Sequence, residues 1–196
     1  MPVTKCLIQN GARQLQEVNK EKLNTFVEHP KKGGKMIKLT EKQISDYFHR
    51  SYTAVDGLWF MKVEEKYGFD SALEIDREVW KVLPKIQARF LKSLSQFDTG
   101  IVGLFECFTT KLKLEGFEFR TEGGTNELKI IISRCPWHDT MIKSGREDLS
   151  EKVGNVICNT EYSVWASEFG GNIRFEQGER ICNGSENCIL TFSYSE

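Results

Sequence analysis

The spacing of apolar side chains changes near residue 115, and that change limits the fold more than any other feature of the sequence. Before it, apolar residues recur every three or four positions, the period of a helix. After it, they alternate or fall into short runs bounded by glycine, as strands do. The pattern predicts an α+β domain, with an N-terminal helical hairpin and a third helix packed with a C-terminal antiparallel sheet and further helices. Residues 1–39 stand apart as a polar N-terminal segment. Residues 40–196 form a single α+β domain, helical over 40–115 and sheet-containing over 116–196.

The polar segment ends in Pro30-Lys31-Lys32-Gly33-Gly34-Lys35, a loop by composition. Thr40-Glu41-Lys42-Gln43 then has the form of a capping box, with Thr40 at the cap and Gln43 reaching back. Ile44, Phe48, Val55, Trp59 and Val63 follow at helical spacing and carry this helix to about Tyr67. Gly68-Phe69-Asp70 ends it, because glycine tolerates left-handed backbone, and offers Asp70 as the cap of the next helix. That second helix has Leu73, Val79, Leu83, Ile86 and Phe90 on one stripe, and Pro84 predicts a kink or a break near Trp80. A third helix spans Thr99 to Leu114.

Downstream, Phe117, Phe119 and Lys129 to Ser133 flank Thr121-Glu122-Gly123-Gly124-Thr125-Asn126, which reads as a β-hairpin around a glycine-rich loop. A short helix follows Cys135-Pro136, and a longer one runs from Asp148 to Phe169, opening with acidic residues that suit its N-terminal dipole. Gly171 to Glu176 and Cys188 to Ser193 are the closing strands.

Charge excludes one class of partner. The chain of 196 residues has 27 basic and 28 acidic side chains, so it lacks the positive field that nucleic-acid binding requires. No apolar run approaches the roughly 20 residues needed to span a bilayer, and Met-Pro-Val-Thr-Lys-Cys lacks the apolar core of a signal peptide. A cytoplasmic protein without nucleic-acid or membrane partners is expected. Aromatic-rich helices and near-zero net charge make a homodimer reasonable, although no heptad pattern specifies one.

In a cytoplasmic chain the six cysteines are expected to be reduced thiols. Cys6 is expected to be frayed and exposed, and Cys107, within Gly103-Leu104-Phe105-Glu106-Cys107-Phe108, acts as a small buried apolar residue. Cys135, Cys158, Cys182 and Cys188 remain. Thiolates and imidazoles ligate zinc or iron, and a closed structural zinc site needs four such ligands in tetrahedral array. The number suffices, but no Cys-x-x-Cys knuckle supports it, and the same residues also read as ordinary thiols beside strands. Nucleophilic catalysis is another use: Cys135 or Cys158 activated by His138, or by a helix N-terminus, since Cys135 directly precedes a helix with Pro136 at its first position.

Two carboxylates lie among aromatics on the first helices. Asp76 falls between Leu73, Val79, Trp80 and Leu83, on a stripe that should face inward and where an unpaired charge is costly. Asp56 has Tyr52, Trp59 and Phe60 as helical neighbours, with His49 two turns earlier on nearly the same face. Both carboxylates can line a pocket floor and move protons. Alternatively, Asp76 pairs with Arg50, Arg77 or Arg89, or hydrogen-bonds a tryptophan.

These residues also carry a resemblance. Val55-Asp56-Gly57-Leu58-Trp59-Phe60 and Ala72-Leu73-Glu74-Ile75-Asp76-Arg77-Glu78-Val79-Trp80, with Arg134-Cys135-Pro136-Trp137, Cys158 and Trp165, resemble small prokaryotic cytosolic proteins grouped as L-2-amino-thiazoline-4-carboxylate hydrolase-like. The C-terminal part, in which Cys182 and Cys188 lead into Leu190-Thr191-Phe192, is similar to the end of a vinyl-reductase-type small-molecule-binding domain. The resemblance implies an α+β ligand-binding fold and favours a zinc or iron centre built from Cys135, Cys158, Cys182 and Cys188. His138 would be a substitute ligand or its neighbour. A metal-activated water attacking a carbon bonded to nitrogen or sulfur, with Asp56, Asp76 and His138 as catalytic groups, is the enzymatic version. A closed, non-catalytic sensor or carrier is the alternative, and a metal-free interaction module is the third.

Overall fold

The computed structural model describes residues 36–195, so the expectations for Cys6 and for the loop at Pro30–Lys35 lie outside the described residues. Two compact units divide the chain, the first ending at Ile44 and the second running from Ser45 to Glu196. In the first, the expected capping box forms. The Thr40 N–H donates to Gln43 Oε1 at 2.9 Å, and the Gln43 N–H returns a bond to Thr40 Oγ1 at 3.2 Å. Helix α1 (Glu41–Tyr67) begins there.

The second unit is α+β. Its helices are α2 (Phe69–Trp80), α3 (Leu83–Lys92), α4 (Gly100–Leu114), α5 (Pro136–Lys143) and α6 (Glu147–Phe169); its strands are β1 (Glu118–Gly123), β2 (Glu127–Arg134), β3 (Ile173–Gln177) and β4 (Cys188–Tyr194). No helix among the described residues is long and apolar enough to cross a membrane.

Three local expectations change. Gly68, at φ 84°, makes the turn from α1 into α2 and is itself the cap position. Asp70 does not cap; it lies in the first turn of α2, and its carboxylate meets Lys152 at 2.6 Å. The chain breaks rather than kinks before Pro84, with Lys81 and Val82 between α2 and α3, so the two helices do not share one apolar stripe. The buried residues are Leu73, Asp76 and Trp80 on α2 and Pro84 and Ala88 on α3, whereas Val79, Ile86 and Phe90 point outward. On α1, similarly, Tyr52, Asp56, Phe60 and Val63 form the sheltered stripe, and Val55 and Trp59 are exposed.

The four strands form one antiparallel sheet in the order β1-β2-β4-β3. In β2 the two-residue period puts Leu128, Ile130 and Ile132 on one face. They pair with Phe192, Leu190 and Cys188 of β4, so Cys188 starts the inward row of that strand. Helices α4 and α6 cover this face with Ile101, Leu104, Phe108 and Leu112 from the first and Tyr162, Trp165 and Phe169 from the second. Phe108 is the centre of the core, its ring 5.2 to 5.5 Å from those of Tyr162, Trp165 and Phe192. Burial of each such side chain contributes about 1.5–3 kcal/mol. Cys107 is buried beside it, as its apolar surroundings predict. The core fixes where α6 and the start of β4 stand, and these two elements build one wall of the cavity described next.

Candidate functional site

A cavity of about 350 Å³ lies among α1, α2, α5, α6 and the start of β4, and its lining is mostly apolar. All seven residues that the sequence singled out for chemistry line it: Asp56, Asp76, Cys135, His138, Cys158, Cys182 and Cys188. They come from six places in the chain, so only the fold brings them together.

The sulfurs form one part of the wall. Cys135 is the residue before α5, and Pro136 holds the first helical position, where its missing N–H costs nothing. Cys158 lies on the inward stripe of α6, Cys182 in the single 3₁₀ turn Ile181–Asn183, and Cys188 at the inward end of β4. Two contacts show how closely the backbone fits these side chains. The Ile181 N–H donates to Cys188 Sγ at 3.2 Å. Gly154, one helical turn before Cys158, leaves room for Cys182: a Cβ at this position would lie 2.9 Å from Cys182 Sγ and 3.9 Å from Cys158 Sγ. Only glycine permits that approach without displacement.

Burial pushes every one of these thiols up, and neighbouring sulfurs add to it at Cys135, Cys158 and Cys188. Cys135 is pushed up to about 12 by burial, although the N–H groups of His138 and Trp137 at the start of α5 pull the other way. Cys158 is raised by burial first, then by Cys135, Glu161, Cys182 and Cys188, so the other three sulfurs all act on it. This argues against the activated nucleophile: the helix N-terminus does face Cys135, but desolvation outweighs it. The Nδ1 of His138 is bonded to Ser150 Oγ at 2.7 Å, which leaves Nε2 as its other ring nitrogen.

The donor set, four soft sulfurs with an imidazole nearby, suits zinc or iron. Among the described residues, no group of three or more His, Cys, Asp or Glu is arranged to hold a metal ion as the side chains stand. The sulfurs line one wall without meeting at a point.

The carboxyls occupy another part. Asp76 is 7% exposed, and none of the expected arginines pairs with it. Arg89 is bound to Glu168 at 2.9 Å and Arg77 lies 3.6 Å from Glu78. The Trp80 indole is its hydrogen-bond partner, the other expected possibility. Burial, then the charge of Asp56, raises Asp76 to about 7; burial, then Glu115, raises Asp56 to about 6. Around them, Trp137 stands edge to face with both Tyr52 and Trp80, at 6.0 and 5.9 Å between ring centres.

Sequence reasoning missed a buried ionic cluster beneath this wall. Lys111 of α4 reaches Glu115 at 2.9 Å and Glu161 of α6 at 2.5 Å, and all three are buried. Burial opposes the charge on Lys111, but the two carboxylates overcome it and hold the ammonium charged. Burial raises Glu161, which lines the cavity and shares the one ammonium with Glu115. A signal for Glu161 existed, since it lies three residues after Cys158 on the same inward stripe. Lys111 and Glu115, four apart on a helix, read as a surface pair.

The model of a family of unknown function, DUF6125, matches residues 36–178, which is most of the chain. The chain belongs to this family. Among curated proteins, nothing matches. The DUF6125 match spans Asp56, Asp76, Cys135, His138, Cys158 and Glu161, and it ends before Cys182 and Cys188.

Proposed function

We propose that this protein is a cytoplasmic small-molecule-binding domain whose cavity carries a zinc or iron ion on Cys135, Cys158, Cys182 and Cys188. One observation supports the reading above the rest: four cysteines from separate elements line a single cavity, with Gly154 leaving the space in which Cys182 lies against α6 beside Cys158. Four ordinary core thiols would have no reason to gather on one wall. A cavity of about 350 Å³ is within the range for small ligands, and its apolar lining with a few polar groups is what such sites use. Four sulfurs fill a tetrahedral zinc shell, so the ion would hold the wall together and the ligand would occupy the space between it and the carboxyls.

Hydrolysis of a carbon–nitrogen or carbon–sulfur bond is the second reading. It draws on Asp56 and Asp76, whose affinity for protons near neutral pH suits general acid–base work in the same cavity. It needs an open coordination position, hence three sulfurs on the metal rather than four, with His138 beside it.

Metal analysis of the protein purified without added metal tests the first reading. One zinc or iron per chain is expected, falling steeply in Cys158→Ser and Cys188→Ser. A metal-free protein that binds neither added zinc nor added iron would remove it. Turnover of an aminothiazoline carboxylate by the loaded protein, abolished in Asp76→Asn, would favour the hydrolase.

A further inference from the structure

Among the described residues, no cation pairs with the carboxyls Asp56 and Asp76 at one end of the cavity. Asp56 and Asp76 both line this end of the cavity, Asp56 lies close enough to raise the proton affinity of Asp76, and Glu115 and Glu161 add negative charge from the end of α4 and from α6. Lys111 is the buried cation nearby, and it is already held by Glu115 and Glu161. Two arginines reach the cavity wall, but Arg146 is paired with Glu64 at 2.6 Å and Arg180 with Asn159 at 2.8 Å. His138 is turned to Ser150. Glu115 and Glu161 therefore share the one ammonium, and Asp56 and Asp76 have no basic partner among the described residues.

The remaining lining says what kind of charge would fit there. Trp80 and Trp137 bound the cavity at right angles, and Phe60 and Ile157 extend the apolar surface. An indole face attracts a cation and tolerates little else that is charged. A hydrated inorganic ion would need several oxygen ligands in place of these walls, and no carboxyl group here is arranged to supply them.

We propose that the cavity recognises an organic cation, an amine or amidine nitrogen on a compact apolar body, with Asp56 and Asp76 taking the nitrogen and Trp80 and Trp137 enclosing the rest. This deepens the small-molecule reading above and rests on it, but it does not depend on the metal. A charge-assisted hydrogen bond in such surroundings contributes about 1.5–3 kcal/mol, which corresponds to a preference of roughly ten- to a hundredfold over a neutral isostere.

Benzamidine, benzamide and benzoate are matched probes of one shape and three charges. Each is titrated into the full chain at pH 8, with tryptophan fluorescence and calorimetry as readouts, alongside Asp76→Asn and Asp56→Asn. Benzamidine is expected to bind at least about tenfold more tightly than benzamide, with benzoate weakest, and each variant is expected to erase most of that preference while still binding benzamide. Failure of all three probes to bind, equal affinity for the three, or a preference that survives both substitutions overturns the proposal. Metal content of the same preparations separates the two readings. Metal present with no charge preference sinks the cation site alone, and a metal-free protein that still selects benzamidine sinks the cysteine centre alone.

Discussion

Lys111 shows what a single residue contributes here. It is 2% exposed, in the last turn of the most apolar helix of the second unit, and two carboxylates, Glu115 at the end of α4 and Glu161 of α6, close on it. Nothing in the local sequence marks it, because Lys111 and Glu115 four residues apart look like a solvent-facing pair, and the third partner is fifty positions away. Removing the ammonium while keeping both acids leaves buried charge without a counter-ion, which typically costs about 3–5 kcal/mol. Lys111→Met is therefore expected to lower the urea midpoint sharply. Adding Glu115→Gln and Glu161→Gln to it should recover much of the loss. If Lys111→Met alone unfolds at the wild-type midpoint, the cluster does not hold α4 to α6.

At the scale of elements, α6 ties the core to the cavity. Trp165 and Phe169 pack in the core, and one or two turns earlier the same stripe presents Cys158 and Glu161 to the cavity, with Gly154 beyond them. The helix itself was legible from its acidic start and apolar spacing, and so were the capping box at Thr40, the break before Pro84 and the period-two strands. The inward faces of α1 and α2 were not. Val55, Trp59 and Val79 are apolar yet exposed, and they pulled the expected stripe away from Tyr52, Asp56 and Phe60. Polar residues that face a cavity lie on the side a hydrophobic pattern assigns to solvent, so periodicity alone misplaces such a face. Asp76 was the exception, because Leu73 and Trp80 bracket it on a stripe narrow enough to leave no alternative. The glycine at 154 was also silent in sequence, since its reason is a sulfur that arrives from another element. Gly154→Ala tests that reason. Alanine favours a helix interior by about 1 kcal/mol over glycine, but its Cβ would press on Cys182 Sγ at 2.9 Å. Retained helicity with a several-fold loss of bound metal is the expected outcome. Full metal occupancy in this variant would show that Cys182 needs no such space.

For the whole molecule, the cavity has a cost that depends on pH. Asp56, Asp76 and Glu161 all hold their protons more tightly in the fold than in an unfolded chain, chiefly through burial. Below about pH 4, where free carboxyls are protonated, these groups are neutral in both states and cost nothing. As pH rises above that, the unfolded chain releases protons which the folded protein retains. Stability then falls with pH, and the loss is complete once the folded groups ionise, near pH 6 for Asp56 and near 7 for Asp76. The carboxylate of Glu78, held low by Lys81, acts in the opposite direction but is fully exposed and weak. For Asp76 alone the loss is roughly 1–3 kcal/mol, allowing for the water the cavity admits. Urea midpoints measured from pH 5 to pH 8 should therefore decline in the wild type, and more shallowly in Asp76→Asn, which cannot ionise. The variant is expected to be the more stable protein at pH 8, with little or no advantage at pH 5. Parallel curves for the two proteins would mean that Asp76 ionises freely in the folded state, and the carboxyl wall would then be open to solvent rather than shielded by Trp80 and Trp137.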